Sequence, residues 1–314
     1  MRLGRAAVVT DTGRRRLGNE DAYVWGPPLF AIADGMGGAR AGEIAAGIAA
    51  ATFEEVLGRT MGADAISEVI ADANRRIWER SLADPATAGM GTTVTVALVD
   101  EDGETVVFGH VGDSRAYRMR DSVLEQITTD HSLVAELVES GVLTPEEAER
   151  HPQRSAITRA LGTEPAVEPD VFTVDVVPGD LFLLCSDGLS DMLTEEQIAA
   201  AIERAGGEPE AAGNELVKEA NARGGDDNIT VLLFEIVAGE PDPERTAALE
   251  DTARATSPDG PSKNAGDPSA SPEPRPDEGL RRHGAGPGGR IAAIVLLVAI
   301  LIVAALVLYW GITS

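Results

Sequence analysis

Short apolar runs, rich in β-branched residues and bounded by acidic or glycine-rich turns, recur along most of the chain. The runs are AAVVTD, LFAIAD, TTVTVALVD, ETVVFGHVGD, VFTVDVV, DLFLLCSD and NITVLLFEIV. Their length and composition predict β-strands. Because many neighbouring runs follow one another without a helix between them, a regular βαβ alternation is excluded, and the strands are expected to pair in largely antiparallel sheets.

Helical patterns separate some of these strands. Helices are predicted over residues 41–58 and 64–82, where apolar residues recur at helical spacing. The apolar face of the first is expected to contain Ile44, Ile48, Phe53 and either Val56 or Leu57.

Capping chemistry marks the starts of two later helices. Thr144, Pro145 and Glu147 form one predicted capping box, with proline at the first helical position, and Thr194 with Gln197 forms another. Together these elements predict an α+β fold in which two antiparallel sheets are sandwiched between helical layers.

Composition excludes some classes of partner. The chain has 314 residues, of which 43% are hydrophobic, so it can form a sizeable core. Its 26 basic residues stand against 52 acidic ones, which argues against nucleic acid as a partner. The single cysteine, Cys185, excludes an intramolecular disulfide framework and is typical of a reducing cytoplasm.

The C-terminal part differs in composition from the rest. IAAIVLLVAILIVAALVLYW, from Ile291 to Trp310, is uncharged, and about 20 such residues in a helix span a bilayer. Residues 290–310 are therefore predicted to form a transmembrane helix of a single-pass cell-membrane protein. Basic residues precede the span and none follows it in 311–314, so the N-terminal part is expected in the cytoplasm and the short tail outside it.

A Pro, Ser and Gly-rich segment precedes this span. Residues 239–289 contain too few apolar side chains to offset the entropy of ordering, and a flexible linker is predicted there. The folded domain is accordingly expected to occupy residues 4–238.

The stretch FAIADGMGGARAGE places an acidic residue, Asp34, and several glycines after a strand. A dinucleotide-binding turn would need glycine at the position of Arg40 and a βαβ context, and a P-loop would need a following Gly-Lys-Ser/Thr. Neither pattern is complete, nor is the ligand spacing of an EF-hand present.

Acidic residues recur beside glycines or at the ends of predicted strands. They are Glu20, Asp21, Asp34, Asp113, Asp187, Asp226 and Asp227. Any single Asp-Gly pair is more simply a turn. Several after apolar strands, however, can converge on one pocket, where carboxylates would repel one another unless cations were bound. Oxygen ligands of this kind favour Mg²⁺ or Mn²⁺.

The motifs RLGNED, ADGMGG, MGTT, GDSRAYR, DHSLV, HPQRSAITRALG, CSDGL and DDNIT occur in that order. In this combination the chain resembles the metal-dependent protein serine/threonine phosphatases of the type 2C class, and in particular the bacterial membrane-anchored members that oppose serine/threonine kinases. The resemblance covers residues 4–238 and implies a β-sandwich flanked by helices, with a centre of two Mn²⁺ or Mg²⁺ ions at one edge.

The resemblance also implies a ligand set. Asp34 would bridge the two ions, the Gly35 carbonyl would bind one of them, and Asp187 with Asp227 would complete the other. Asp227 is preferred over Asp226 because the family motif has its aspartate immediately before the asparagine.

Other residues acquire supporting roles from the same resemblance. Glu20 and Asp21 would act through metal-bound waters, and Asp113 would bind a third, weaker ion shared with Asp187. Arg16 would bind the substrate phosphate, a task that suits the planar guanidinium. Its neighbours Arg14 and Arg15 are interpreted as solvated charge.

The implied reaction is hydrolysis of phosphoserine and phosphothreonine by direct attack of a metal-bridging hydroxide. Cys185 is a poor nucleophile candidate, since a cysteine phosphatase would need arginine at position 191, which is Asp.

Many eukaryotic relatives have a histidine at the position of Met36 that protonates the leaving group. A metal-bound water is our hypothesis for that role here, with His131 and His151 interpreted as structural residues of a mobile flap over residues 128–161.

Three alternatives remain open at the level of sequence. The chain could be a metal-binding regulatory module of the same fold without turnover, a phosphatase of a stress-response regulatory protein, or a structural calcium-binding protein. The expected partners of the phosphatase are phosphoserine and phosphothreonine proteins, including serine/threonine kinases, and the membrane through the C-terminal helix.

Overall fold

Two antiparallel sheets form the centre of the protein. The computed structural model describes residues 1–37, 41–59, 61–100, 104–148 and 150–239. The chain divides into the units Met1–Gly260 and Pro261–Ser314, and every described residue belongs to the first unit. The strands are β1 (Arg2–Asp11), β2 (Asp21–Gly26), β3 (Leu29–Met36), β4 (Gly91–Thr92), β5 (Val94–Val99), β6 (Thr105–Val111), β7 (Arg115–Arg120), β8 (Val123–Gln126), β9 (Asp170–Asp175), β10 (Leu181–Cys185) and β11 (Ile229–Val237).

Each sheet contains strands from distant parts of the chain. The first sheet has the order β1-β11-β10-β7-β8, and the second has the order β2-β3-β5-β6-β9, with β4 paired to β3. The helices are α1 (Ala41–Glu54), α2 (Ala63–Ala83), α3 (Leu133–Glu139), α4 (Pro145–Ala148), α5 (Asp187–Ser190), α6 (Glu195–Arg204) and α7 (Pro209–Arg223), with a 3₁₀ turn at Pro85–Thr87.

Three apolar layers hold the sheets and helices together. Between the sheets, Phe234 stacks on Phe30 at a ring-centroid distance of 5.0 Å and on Phe182 at 5.1 Å. The outer face of the second sheet packs against α1 and α2, and that of the first sheet packs against α6 and α7. The α+β sandwich between helical layers is therefore confirmed for the described residues.

Helix α1 corrects one detail of the predicted core. Its buried face is mainly alanine, with Phe53 at its end, while Ile44 and Ile48 are only partly buried. The helix predicted over residues 41–58 ends at Glu54, so Val56 and Leu57, one of which was expected on its apolar face, both lie beyond it, and Leu57 is 36% exposed. Small side chains allow α1 to approach β3 closely: a Cβ on Gly35 would lie 2.3 Å from the Gly42 carbonyl oxygen.

Both predicted capping boxes are confirmed. The Thr144 amide donates to Glu147 Oε2 at 2.9 Å, and the Thr194 amide donates to Gln197 Oε1 at 3.2 Å. The first begins only the single turn of α4, whereas the second begins α6.

The predictions for the C-terminal part concern residues that the structure does not describe. The predicted span at 290–310, its tail at 311–314 and the predicted linker from residue 240 onward lie outside the described residues. Within the described ranges, every helix is too short or too polar to cross a membrane.

Candidate functional site

Acidic residues from both sheets meet at one edge of the sandwich. Asp187 follows β10 and Asp227 precedes β11, and these strands are antiparallel neighbours, so both residues lie at the same end of the first sheet. In the second sheet, Asp34 lies near the end of β3 and Asp113 follows β6. The register that pairs β5 with both strands brings those two ends together.

A cavity of about 380 Å³ lies at this edge. It is lined by Arg16, Glu20, Asp34, Gly35, Met36, Gly37, Thr93, Asp113, Ser155, Ile157, Asp187 and Asp227. All of the residues predicted to bind metal or phosphate therefore share one cavity, except Asp21. Ser155 and Ile157 come from the segment predicted to form the flap.

Asp21 does not line the cavity, although it lies directly opposite Asp34 in the β2–β3 register. Its Oδ2 accepts hydrogen bonds from Ser186 Oγ at 2.9 Å and from Thr230 Oγ1 at 2.6 Å. These bonds join the edges of the two sheets. Its Oδ1 is buried and has no hydrogen-bond partner, and burial raises the pKa of the carboxyl to about 6.

Asp34 and Asp187 are buried carboxylates that lie near other acidic groups. Burial, and then the charge of Asp187, raises the pKa of Asp34 well above its ordinary value. Burial and the charge of Asp113 do the same to the pKa of Asp187. Among the residues that the structure describes, no Lys, Arg or His forms an ion pair with either carboxylate.

Asp113 has a similar environment. It is only 9% exposed, and its Oδ1 has no hydrogen-bond partner. Burial, followed by the charge of Asp130, raises the pKa of Asp113 to about 7.

The backbone around Asp34 is fixed by two threonines of the MGTT motif. The Asp34 carbonyl accepts from Thr92 Oγ1 at 2.8 Å and from the Thr93 amide at 2.9 Å. The Asp34 amide donates to Thr93 Oγ1 at 3.0 Å. These supporting roles were not predicted from the sequence, although the motif itself was recognised.

The two adjacent aspartates before β11 have different environments. Asp227 lines the cavity and accepts a hydrogen bond from Arg16 Nη2 at 2.5 Å. Asp226 is exposed and forms an ion pair with Arg15 at 2.8 Å. Arg14 is also exposed, in accord with its interpretation as solvated charge.

Asn228, which sequence reasoning missed as a site residue, ties the loop carrying Arg16 to β11. Its side chain is buried; Nδ2 donates to the carbonyls of Thr12 and Gly18, each at 2.9 Å. Its Oδ1 accepts from the Glu20 amide at 2.8 Å. The signal in the sequence was its position directly after Asp227.

The donor set fits hard divalent cations. Carboxylate oxygens and the carbonyl of Gly35 are the ligand types that Mg²⁺ and Mn²⁺ prefer, and two of the buried carboxylates have oxygens without partners. Within the described ranges, however, no group of three or more His, Cys, Asp or Glu side chains could by itself hold an ion.

Three other reactive side chains, Cys185, His131 and His151, do not line the cavity. Cys185 is buried in β10, and burial raises the pKa of its thiol to about 12. His131 is buried, where Nδ1 accepts from the Gly112 amide at 3.0 Å and Nε2 lies 3.1 Å from Asp170 Oδ2. His151 Nδ1 accepts from the Gln153 amide at 3.2 Å. These contacts fit the structural interpretation of both histidines.

A larger cavity, of about 780 Å³, lies at the opposite end of β10 and β11. Its lining includes Pro178, Gly179, Val237 and Arg5, and the carboxylate of Glu235 there is paired with Arg5. Its other acidic lining residues, Asp121 and Glu203, are exposed to solvent, whereas the smaller cavity contains the buried Asp113 and several further carboxylates from both sheets, so we place the candidate site at the smaller one.

Comparison with known proteins gives matches to the part of the chain that contains the candidate site. Residues 14–218 match the family model for protein phosphatase 2C. The chain is 41% identical over 240 residues to the serine/threonine protein phosphatase PstP of Mycobacterium tuberculosis. This alignment covers 74% of this chain and 45% of that protein. The chain thus spans about half the length of that relative.

Two further matches cover a larger share of the matching chain, one being a whole protein and the other a catalytic domain. The serine/threonine phosphatase stp of Listeria monocytogenes is 38% identical over 238 residues, covering 72% of this chain and 93% of the relative. A crystal structure of the PstP catalytic domain in complex with two manganese ions superposes with a TM-score of 0.69 and 36% identity. It covers 75% of this chain and 99% of that structure's chain.

Proposed function

The chain belongs to the protein phosphatase 2C family, and we propose that it is a metal-dependent hydrolase of phosphoserine and phosphothreonine in proteins. One observation carries the proposal. Asp34, Asp187 and Asp227, which are distant in sequence, line a single cavity together with Arg16. The manganese ions of the PstP structure support Mn²⁺ or Mg²⁺ as the cofactor.

We infer that Asp34, the Gly35 carbonyl, Asp187 and Asp227 hold two such ions, with Glu20 and Asp21 acting through bound water. Asp113 would hold a third, weaker ion, together with Asp187. When bound, divalent cations lower the pKa of water and offset the charge of a phosphate group. The unpaired buried carboxylates support this assignment, because cations relieve the mutual repulsion that raises their pKa values.

The chain's own side chains position the substrate. Arg16 is 46% exposed at the cavity and can exchange its partner Asp227 for a phosphate oxygen.

Gly35 allows α1 to approach the cavity floor, because any larger residue would collide with the Gly42 carbonyl. Met36 lines the cavity and has no proton to donate. Since Met36 cannot protonate the leaving oxygen, we infer that a water molecule does so.

The proposed arrangement in the cell rests on the C-terminal sequence. We propose that residues 4–238 form the catalytic domain, that 239–289 form a linker, and that 290–310 anchor the domain to the cytoplasmic face of the membrane. Tethering raises the effective concentration of the domain toward membrane-bound substrates. Serine/threonine kinases at the membrane and the proteins that they phosphorylate are the substrates that this arrangement favours.

The proposal is tested by phosphate release from a phosphothreonine peptide, using the full chain with Mn²⁺ and then with a chelator. Asp227→Asn and Asp34→Asn are expected to abolish most turnover. Asp226→Asn is the matched control, since it removes a neighbouring carboxylate that lies outside the cavity. Turnover that survives chelation and both cavity substitutions would refute the proposal. Metal binding without turnover would instead favour a regulatory module of the same fold.

A further inference from the structure

Leu17 lies fully exposed beside the candidate site. Its relative exposure is 106%, in the loop between β1 and β2. Isolated exposed leucines are common on protein surfaces and need no explanation by themselves. Leu17 differs in its position, because its neighbour Arg16 and the nearby Glu20 both line the cavity. The other large apolar side chains found exposed in the described ranges, at positions 57, 82, 123, 142 and 177, have no chain neighbour in that lining.

The loop that carries Leu17 is held in place on both sides. Asn228 donates to the carbonyl of Thr12 before Leu17 and to that of Gly18 after it. Asn19 Nδ2 donates to Thr10 Oγ1 at 2.7 Å, and Asn19 Oδ1 accepts from the Asp21 amide. Because the backbone is fixed at these points, the apolar side chain is presented to solvent at a defined place.

We propose that Leu17 contacts an apolar side chain of the phosphoprotein substrate, within a few residues of the phosphorylated one. This inference rests on the proposed function. Leu17 directly follows Arg16 in the chain, and their Cα atoms are about 3.8 Å apart, so the residues that flank a phosphorylated residue held at Arg16 come close to this exposed side chain. The isobutyl group of Leu17 offers no hydrogen bond or charge, so the side chain that gains most from the contact is apolar.

The contact provides a means of distinguishing substrate sequences that the metal ligands and Arg16 lack. Those groups recognise a phosphate, which every substrate carries. Leu17 lies outside the ligand set, so it can discriminate between sequences without altering the chemistry at phosphorus. Partial burial of one leucine against an apolar partner is expected to change kcat/KM by about three- to tenfold.

The test uses two phosphothreonine peptides that are identical except for leucine or serine at the positions flanking the phosphothreonine. For the full chain with Mn²⁺, we expect a preference of about three- to tenfold for the leucine peptide. Leu17→Ser should remove this preference, and Leu17→Met should retain most of it. Leu82→Ser is the matched control, since Leu82 is 68% exposed near the end of α2. Hydrolysis of p-nitrophenyl phosphate, which lacks a peptide, should be unchanged in every variant.

Two results would overturn the inference. One is an equal loss by Leu17→Ser on both peptides and on p-nitrophenyl phosphate, which would indicate a disturbed loop. The other is an unchanged preference in that variant. Peptide binding by fluorescence anisotropy, with Leu17→Ser added to the Asp34→Asn protein, needs no turnover. A leucine preference that depends on Leu17 there would support the contact even if the phosphatase proposal failed, and equal affinities would refute it.

Discussion

Arg16 donates a hydrogen bond to Asp227, with Nη2 and Oδ2 2.5 Å apart. One side chain is proposed to bind phosphate and the other to bind metal, so the pair joins the two halves of the candidate site. Both residues are partly exposed, at 46% and 32%. A phosphate group can therefore reach the guanidinium from solvent.

Replacement of Arg16 by alanine should weaken substrate binding. A charge-assisted hydrogen bond to phosphate contributes about 1.5–3 kcal/mol, so Arg16→Ala is expected to lower kcat/KM by about ten- to hundredfold, mainly through KM. Arg15→Ala should change kcat/KM little, because Arg15 pairs with the exposed Asp226. Steady-state kinetics on a phosphothreonine peptide would decide this. A loss confined to kcat, or equal losses in both variants, would contradict the assignment.

Asn228 should contribute strongly to stability. Asn228→Ala removes two donated bonds and one accepted bond from a buried side chain, and we expect a loss of about 2–4 kcal/mol in the free energy of unfolding. Asn214→Ala is the control, since Asn214 makes a single exposed bond to the Glu210 carbonyl. Urea denaturation measures both variants. Equal and small effects would show that the buried amide does not hold the loop.

The strands with continuous apolar character could be predicted from sequence, whereas others could not. β11 is an apolar run whose residues are nearly all buried. β7 was not predicted, because the arginines in its sequence RAYRMR interrupt the pattern of apolar residues typical of a strand. In the structure Arg115 pairs with Asp130 and Arg120 pairs with Asp180. These carboxylates are distant in sequence, so local patterns do not reveal how the charges are accommodated.

The residues of the site likewise include some that could be predicted from sequence and some that could not. The acidic residues stood out because several occupy strand ends beside glycine, and the structure places all but Asp21 in one cavity. The hydrogen bonds from Ser186 and Thr230 to Asp21 depend on the two sheet edges meeting. No periodicity within one segment carries that information, and the same holds for the bonds from Asn228 to the Arg16 loop.

Removal of one buried carboxylate should stabilise the metal-free protein. The pKa of Asp34 is raised in the folded protein, so the folded state favours the protonated carboxyl. Its contribution to stability is full below the ordinary pKa and is lost as pH rises. The ionised carboxylate therefore destabilises the fold most in alkaline solution. In chelator at pH 8, Asp34→Asn should raise the free energy of unfolding by about 1–3 kcal/mol. Asp226→Asn serves as the control and should have little effect. Destabilisation by Asp34→Asn under these conditions would argue against repulsion among the carboxylates.

Buried His110 should make the fold sensitive to acid. Burial, then the nearby His131, lowers the pKa of His110 to about 4, while Asp130, Asp170 and the Thr129 carbonyl act in the opposite direction. Because the folded-state pKa lies below the ordinary value, stability is full above about pH 6.5 and declines as pH falls toward 4.

The size of this effect can be measured with a variant. The contribution of His110 should reach up to about 3 kcal/mol, and His110→Gln should flatten the pH dependence of unfolding between pH 7 and 4 by that amount. Urea denaturation at several pH values gives the comparison. An unchanged slope in the variant would assign the acid sensitivity to other groups.

The central claim is that carboxylates from both sheets hold divalent cations, and calorimetric titration of the chelator-treated full chain with Mn²⁺ tests it most directly. We predict binding of two ions by the unaltered protein and by Asp226→Asn, with loss of that binding in Asp34→Asn and Asp187→Asn. If the unaltered protein takes up no Mn²⁺, or if the two cavity variants bind it as well as the unaltered protein does, the account is wrong.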